Sequence, residues 1–236
     1  LVAMLAVIGV SIGVAALIGG ASITAGFERA FQEKLLGVTA HIFARPYSST
    51  RYDVADIEKA IMDGVPEVKG VSPTTYHKAI FVGPGGTIGG FIKGLDPERS
   101  KNVIKLDSYM TSGSLDLLKI DHSNQDDHKI TKVVVGAQLA RKLRIDTGQI
   151  FTALTGANRN RFDQKLDSKK NDWNGKGGGP KSITFKVVGI FEAGYDEYDS
   201  RFVYMHYNRA ESIFGTSDSV QGFEIALHDP QMASQV

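Results

Sequence analysis

Residues 1–27 read LVAMLAVIGVSIGVAALIGGASITAGF, and this stretch decides the architecture. It carries no formal charge, although the chain holds 27 Lys+Arg and 26 Asp+Glu. The first charged residue is Glu28. About 20 apolar residues span a bilayer core, so the run is long enough to cross one with some tilt. A signal-peptide core is usually shorter and follows a basic stretch. No basic stretch is visible here, but the sequence opens at Leu1 inside the apolar run, so it reads as a fragment. A transmembrane helix is the expectation; a signal peptide and a buried core helix are the alternatives. Everything after it reads as a water-soluble part.

Gly9, Gly13, Ala16 and Gly20 recur at spacings of four, three and four, which places them on one stripe of a helix. Apolar area does not drive helices together in lipid, so small residues that allow close backbone approach mark a packing face. Glycine is also simply common in membrane helices. The packing reading implies partner helices that this chain does not supply. Ile23, Phe27, Phe31 and Leu35 then repeat every fourth residue, predicting that the helix leaves the membrane as an amphipathic stalk and stops at Gly37. Such a rigid stalk can pass displacement to a soluble domain.

The soluble part mixes strands and helices without regular βαβ alternation, so α+β is the expected class. Strands are predicted at 39–44, 68–71, 74–82, 88–93, 132–135, 149–154, 183–191, 202–206 and 220–227. Helices are predicted at 53–62, opened by an Asp53 cap, and at 136–143 and 208–214.

With no cysteine, disulfides, thiolate metal sites and cysteine nucleophiles are excluded. A net charge of +1 offers no nucleic-acid footprint. Residues 175–182, GKGGGPKS, approach a phosphate-binding loop, but Pro180 removes an N–H and a β-rich run follows where a helix is needed. The glycines at 83–90 fit a hairpin better than a dinucleotide fingerprint. Asp121, His122, Asp126, Asp127 and His128 suit a divalent metal chemically, yet the polar loop around them fixes no geometry, and no metal site is assigned. Glu192, Asp196, Glu197 and Asp199 offer carboxylates of the glycosidase kind, but a strand-end turn explains them without chemistry. No catalytic residue is assigned, and the chain is read as a non-enzyme.

The longest insertion, 156–181, holds seven Lys/Arg against three Asp/Glu, with Phe162 and the single Trp173. Loops this long tend to be either functional or disordered, and a disordered polar loop is the alternative here. Aromatic side chains among arginines are a common composition for a protein-binding hot spot.

Several segments together resemble the LolC/LolE lipoprotein-releasing permeases of Gram-negative bacteria, relatives of MacB-type transporters. They are Ile8–Leu17, Gly26–Gln32 with Leu36-Gly37-Val38, Val135–Ala140 with Gly148, and Phe185–Phe191 with Glu197-Tyr198-Asp199. The matches run in order over nearly the whole chain. The resemblance implies an inner-membrane ABC transporter permease of four membrane helices, with this fragment supplying the first helix and most of a periplasmic domain. Its implied partners are a second permease subunit, an ATP-binding subunit, lipoprotein substrate and a soluble periplasmic carrier. ATP and Mg would reside on the ATPase partner, leaving no cofactor in this chain.

The resemblance further implies a two-lobed domain. Residues 1–37 form helix and stalk, 38–95 with 196–236 a split first lobe, and 96–195 an inserted second lobe. Lipoprotein contact is implied at Ile23, Thr24 and Phe27, the outer mouth of the first helix. A carrier-recruiting hook is implied within the insertion, with Arg159, Arg161, Phe162, Trp173, Pro180 and Lys181 along it. Rival readings are a MacB-like mechanotransmission permease exporting another substrate, and a single-helix membrane-anchored sensor or enzyme. Orientation does not follow from the flanking charges, so the periplasmic placement rests on the resemblance.

Overall fold

The computed structural model describes residues 2–45, 53–119, 130–156, 181–214 and 222–234. Helix α1 runs unbroken from Val2 to Val38, one residue beyond the expected stop. No proline interrupts it, so nothing breaks its i→i−4 ladder. Its Val2–Glu28 segment has a mean hydropathy of 2.5 and is long and apolar enough to cross a membrane. At 1.5 Å per residue that segment is about 40 Å long, more than the ~30 Å hydrocarbon core. Two hydroxyls inside it are satisfied locally. Ser11 Oγ donates to Val7 O at 2.8 Å, and Thr24 Oγ1 to Gly20 O at 3.0 Å. Back-bonding of this kind lets polar side chains sit in an apolar segment.

Strand β1 is short, Ile42–Ala44. Helix α2, Val54–Gly64, begins as expected at Asp53, whose carboxylate accepts from Ala55 N at 2.9 Å. Its apolar stripe of Val54, Ile57 and Ile61 packs on Val68, Val71, Phe223, Ile225 and Leu227. The two strands expected over 68–82 are one: β2 spans Val68–Gly83. Pro73 suggests a break, but the ladder to β3 (Gly86–Leu95) starts at Thr74, so a missing N–H at 73 removes no rung from it.

Three 3-10 turns, Arg99–Asn102, Leu106–Tyr109 and Leu115–Leu118, follow, with β4 (Met110–Gly113) between the last two. None of these short pieces has a periodic signature. They bury Val103, Ile104, Leu106, Leu115 and Leu118 against Leu95, Phe191 and Tyr204. Next come β5 (Ile130–Gly136), α3 (Ala137–Leu143), β6 (Ile150–Thr155) and β7 (Lys181–Phe191). The chain continues with α4 (Asp196–Arg201), β8 (Phe202–His206), α5 (Tyr207–Phe214) and β9 (Gly222–Leu227).

Among the described residues, nine strands join in the order β1-β9-β2-β3-β8-β5-β7-β4, with β6 paired to both β2 and β7. The β3–β8 and β5–β7 pairs are parallel and the others antiparallel, which makes the domain α+β. Strands from 38–95 and 196–236 (β1, β9, β2, β3, β8) are contiguous in the sheet. Those from 96–195 (β5, β7, β4, β6) adjoin them through β8–β5 and β2–β6. One face is sealed by α3 and α5 over Phe81, Ile92, Val135, Phe185, Val203 and Met205. At Gly136, which opens α3, a Cβ would strike the Asp199 backbone, so close packing of α3 on α4 requires glycine there.

Candidate functional site

On α1, Ile23 and Phe27 are 75% and 70% exposed. Phe27 lies about five turns beyond Gly9 and therefore on the same line of the helix, with Ile23 and Thr24 flanking it. The small-residue stripe and the expected mouth residues thus form one continuous face. A Cβ built on Gly9, Gly13 or Gly20 meets nothing within 4 Å, and Ala16 is exposed. Among the described residues, the space over Gly9, Gly13 and Gly20 is open. Thr24, the polar member, spends its hydroxyl on Gly20 O and presents its methyl.

The insertion expected to form a hook springs from the tip of the β6–β7 hairpin, whose last rung pairs Thr155 with Lys181. The hairpin root is fixed by Phe151, Ala153, Ile183 and Phe185 in the core, with Phe151 edge-on to Phe81 and Phe185 at 6.0 and 5.4 Å. Arg159, Arg161, Phe162, Trp173 and Pro180 lie outside the described residues. Lys181 begins β7. The strand from Lys181 onward agrees with rejecting a phosphate-binding loop, which needs a helix there.

Three of the four clustered carboxylates, Glu192, Glu197 and Asp199, have structural partners. Asp199 is buried, and its two oxygens accept from Ala193 N at 2.8 Å and Gly194 N at 2.9 Å, closing the turn before α4. Burial raises its pKa. Glu192 pairs with Arg141, and Glu197 with Arg201 at 3.6 Å. Residues 121–128, tested above for metal, lie outside the described residues. No group of three metal-competent side chains occurs among the described ones.

Two features escaped the sequence reading. The first is a buried ion pair: Lys93 Nζ on β3 donates to Glu224 Oε1 on β9 at 2.6 Å, with side chains 2% and 6% exposed. Tyr76 OH on β2 donates to the same oxygen at 2.6 Å. Lys93 also lies over the rings of Tyr76 and Tyr204, 5.3 and 5.6 Å from their centroids. Burial, then the adjacent carboxylate, raises the Tyr76 pKa, so its proton stays in place. The only available sequence signal was a single opposite charge in each of two otherwise apolar strands.

The second is a groove of about 660 Å3 where the domain meets the end of α1. Its lining includes the cationic Lys69, Lys101 and Lys105 and the imidazoles of His41 and His228. Its floor includes Ile104, Tyr109 and Leu227. His41 Nδ1 accepts from Leu227 N at 2.9 Å, which leaves Nε2 to carry the ring proton. Burial and the Lys69 charge both lower the His41 pKa.

A family model described as MacB-like periplasmic core domain matches residues 3–236. The chain belongs to that family. Within this MacB-like family, the chain is 24% identical over its whole length to "Lipoprotein-releasing system transmembrane protein LolC" of Xylella fastidiosa. It is 22% identical over 98% of its length to the LolC protein of Neisseria meningitidis, and 26% identical over 65% to the LolE protein of Haemophilus influenzae. It covers 51%, 51% and 36% of those proteins, so the chain spans about half the length of the LolC relatives. Solved structures with a similar outline include the extracellular domain of the ABC-type transporter YknZ from Gram-positive bacteria (TM-score 0.45, 16% identity, covering 82% of this chain and 85% of that one). Another is the periplasmic region of MacB from Actinobacillus actinomycetemcomitans (TM-score 0.44, 10% identity, 79% and 73% covered).

Proposed function

We propose that this chain is the N-terminal part of a permease subunit of an ABC transporter that lifts lipoproteins out of the bacterial inner membrane and passes them to a soluble periplasmic carrier. The observation that carries the reading is similarity over the whole chain, helix and domain together, to relatives named as lipoprotein-releasing transmembrane proteins. The chain itself performs no bond chemistry in this reading. ATP and Mg are handled by a separate ATP-binding subunit, and a second permease subunit supplies the helices that meet the Gly9-Gly13-Ala16-Gly20 stripe. Acyl chains enter beside Ile23, Thr24 and Phe27, where an apolar seam between helices can accept them. The soluble domain stands in the periplasm as two lobes, 38–95 with 196–236 and 96–195, and the 156–181 insertion contacts the carrier through Arg159, Arg161, Phe162, Trp173, Pro180 and Lys181. A basic, aromatic-bearing loop gains association rate against an acidic surface, and loses it with salt.

The family match favours a second reading, a MacB-like mechanotransmission permease for another substrate. Site-specific photocrosslinking in cells separates the two. Lipoprotein adducts at Phe27 and carrier adducts at Trp173 are expected. Lipoprotein at Phe27 alone removes the carrier role from the loop. No lipoprotein at either position favours the MacB-like reading.

A further inference from the structure

The basic groove at the root of the domain has no role in the reading above. Lys69 and Lys105 are exposed at its rim, and no carboxylate lines it among the described residues. Lys101 is compensated by Asp116 at 3.0 Å and Asp107 at 3.8 Å, so the uncompensated field comes from Lys69 and Lys105. His41 Nε2–H adds a neutral donor whose ring is held in place by Leu227 N. Cations ringing an apolar floor fit an anionic, partly apolar chain.

Height above the bilayer selects among anions. The apolar span of α1 ends at Glu28 and the helix continues to Val38, a further rise of about 15 Å. Beyond it the chain runs on to His41. The headgroup layer is only about 5–7 Å deep on each side, so resident phospholipid headgroups lie below the groove. An extended polypeptide tethered to the membrane by acyl groups rises about 3.4 Å per residue. It reaches this height about five to eight residues from its anchor.

We infer that the groove binds an acidic segment of the acylated cargo polypeptide, located about five to eight residues from its lipid anchor. This rests on the lipoprotein-transport reading. The test is binding of fluorescent peptides to the full-length membrane protein in nanodiscs, by anisotropy. One diacylated peptide carries Glu at positions 5–8, a second carries Gln there, and a third carries Glu only at 15–18; non-acylated versions of each serve as comparison. The 5–8 Glu peptide is expected to bind about five- to tenfold more tightly than the Gln peptide at low salt, as two partly exposed ion pairs allow. That preference should vanish in Lys69→Gln/Lys105→Gln, whose two exposed side chains can be exchanged without disturbing the core. Equal binding of the Glu and Gln peptides overturns the inference. So does a preference that survives the double substitution, or one equally strong for Glu at 15–18. The lipoprotein reading has its own readout, tighter binding of acylated than non-acylated Gln peptide to protein-bearing nanodiscs in excess of the same difference on empty nanodiscs. If that fails while the charge preference holds, the groove stands and the cargo class does not.

Discussion

Replacing Lys93 tests whether the buried pair holds the sheet together. Lys93→Met leaves the Glu224 carboxylate in a site 5% exposed, with the Tyr76 hydroxyl as its one described hydrogen-bond donor. An uncompensated buried charge of this kind costs about 3–5 kcal/mol. The converse, Glu224→Gln, strands the ammonium but keeps an amide oxygen for Tyr76. It also leaves Lys93 over two tyrosine rings, contacts worth about 0.5–2 kcal/mol when desolvated. Glu224→Gln should therefore cost less than Lys93→Met, by about 1–2 kcal/mol. The double substitution removes both charges while retaining the Tyr76 hydrogen bond, and should cost only about 1 kcal/mol relative to the native chain, because no charge is then left buried without its partner. The assay is urea unfolding of the detergent-solubilised protein, followed by near-UV circular dichroism of the buried tyrosines. Single substitutions that each cost under about 1 kcal/mol, or a double as costly as their sum, would refute the account.

Four further outcomes follow from the same geometry. His77 stacks on Phe214 at 3.8 Å and its Nε2 has no hydrogen-bond partner among the described residues; burial pushes its pKa down to about 4. Between pH 6.5 and about 4 the unfolded chain binds a proton that the folded chain excludes. Stability should thus fall by roughly 3 kcal/mol over that window and level off below it; His77→Phe, read by unfolding at pH 7 and pH 4.5, should flatten the slope. Gly136→Ala drives a methyl into the Asp199 backbone and should cost about 1–3 kcal/mol in the urea midpoint. Asp53→Ala removes the α2 cap and should cost about 1 kcal/mol by the same measurement. Under the proposed permease function, Gly13→Leu should weaken packing of α1 against the second permease subunit's helices, read as lost disulfide crosslinking between introduced cysteines, while leaving the soluble domain's unfolding unchanged.

The elements that could be read from the chain were those whose own residues supply the signal. Asp53 with Val54, Ile57 and Ile61 forms a capped amphipathic helix whatever lies around it, and the charge-free run before Glu28 needs no tertiary context. Where a second segment decides the outcome, local reading stopped short. The 68–83 strand looks divided at Pro73 because the ladders that carry it, to β9 over 68–74 and to β3 from Thr74 onward, are invisible locally. The turns at 99–118 have no period to detect and are shaped by the apolar residues they bury. Glu192, Asp196, Glu197 and Asp199 suit a strand-end turn without chemistry, and the hydrogen bonds of Asp199 close that turn. Lys93 and Glu224 lie 131 residues apart, and the groove gathers residues from 41 to 230. Neither assembly has a local signature.

The route from membrane to sheet follows from how the stalk is fastened. Helix α1 ends at Val38, and at His41 the chain is already tied to β9 twice: His41 N donates to Ile225 O at 3.1 Å, and Leu227 N donates to His41 Nδ1. The β1 rungs to β9 follow immediately, opposite Ile225, Glu224 and Phe223. Glu224 then holds β9 to β3 through Lys93 and to β2 through Tyr76. A displacement of the stalk is therefore delivered to an edge strand whose neighbour is locked at one buried point, rather than being absorbed in a flexible linker. Moving β9 away from β3 separates a buried ion pair, which is costly, so small motions carry the sheet as a body. The groove occupies the same junction, lined by His41 from the stalk side and Leu227 and His228 from the end of β9. Any segment bound there bridges the stalk and the sheet, and under the proposed transporter function would bear directly on the relation between them.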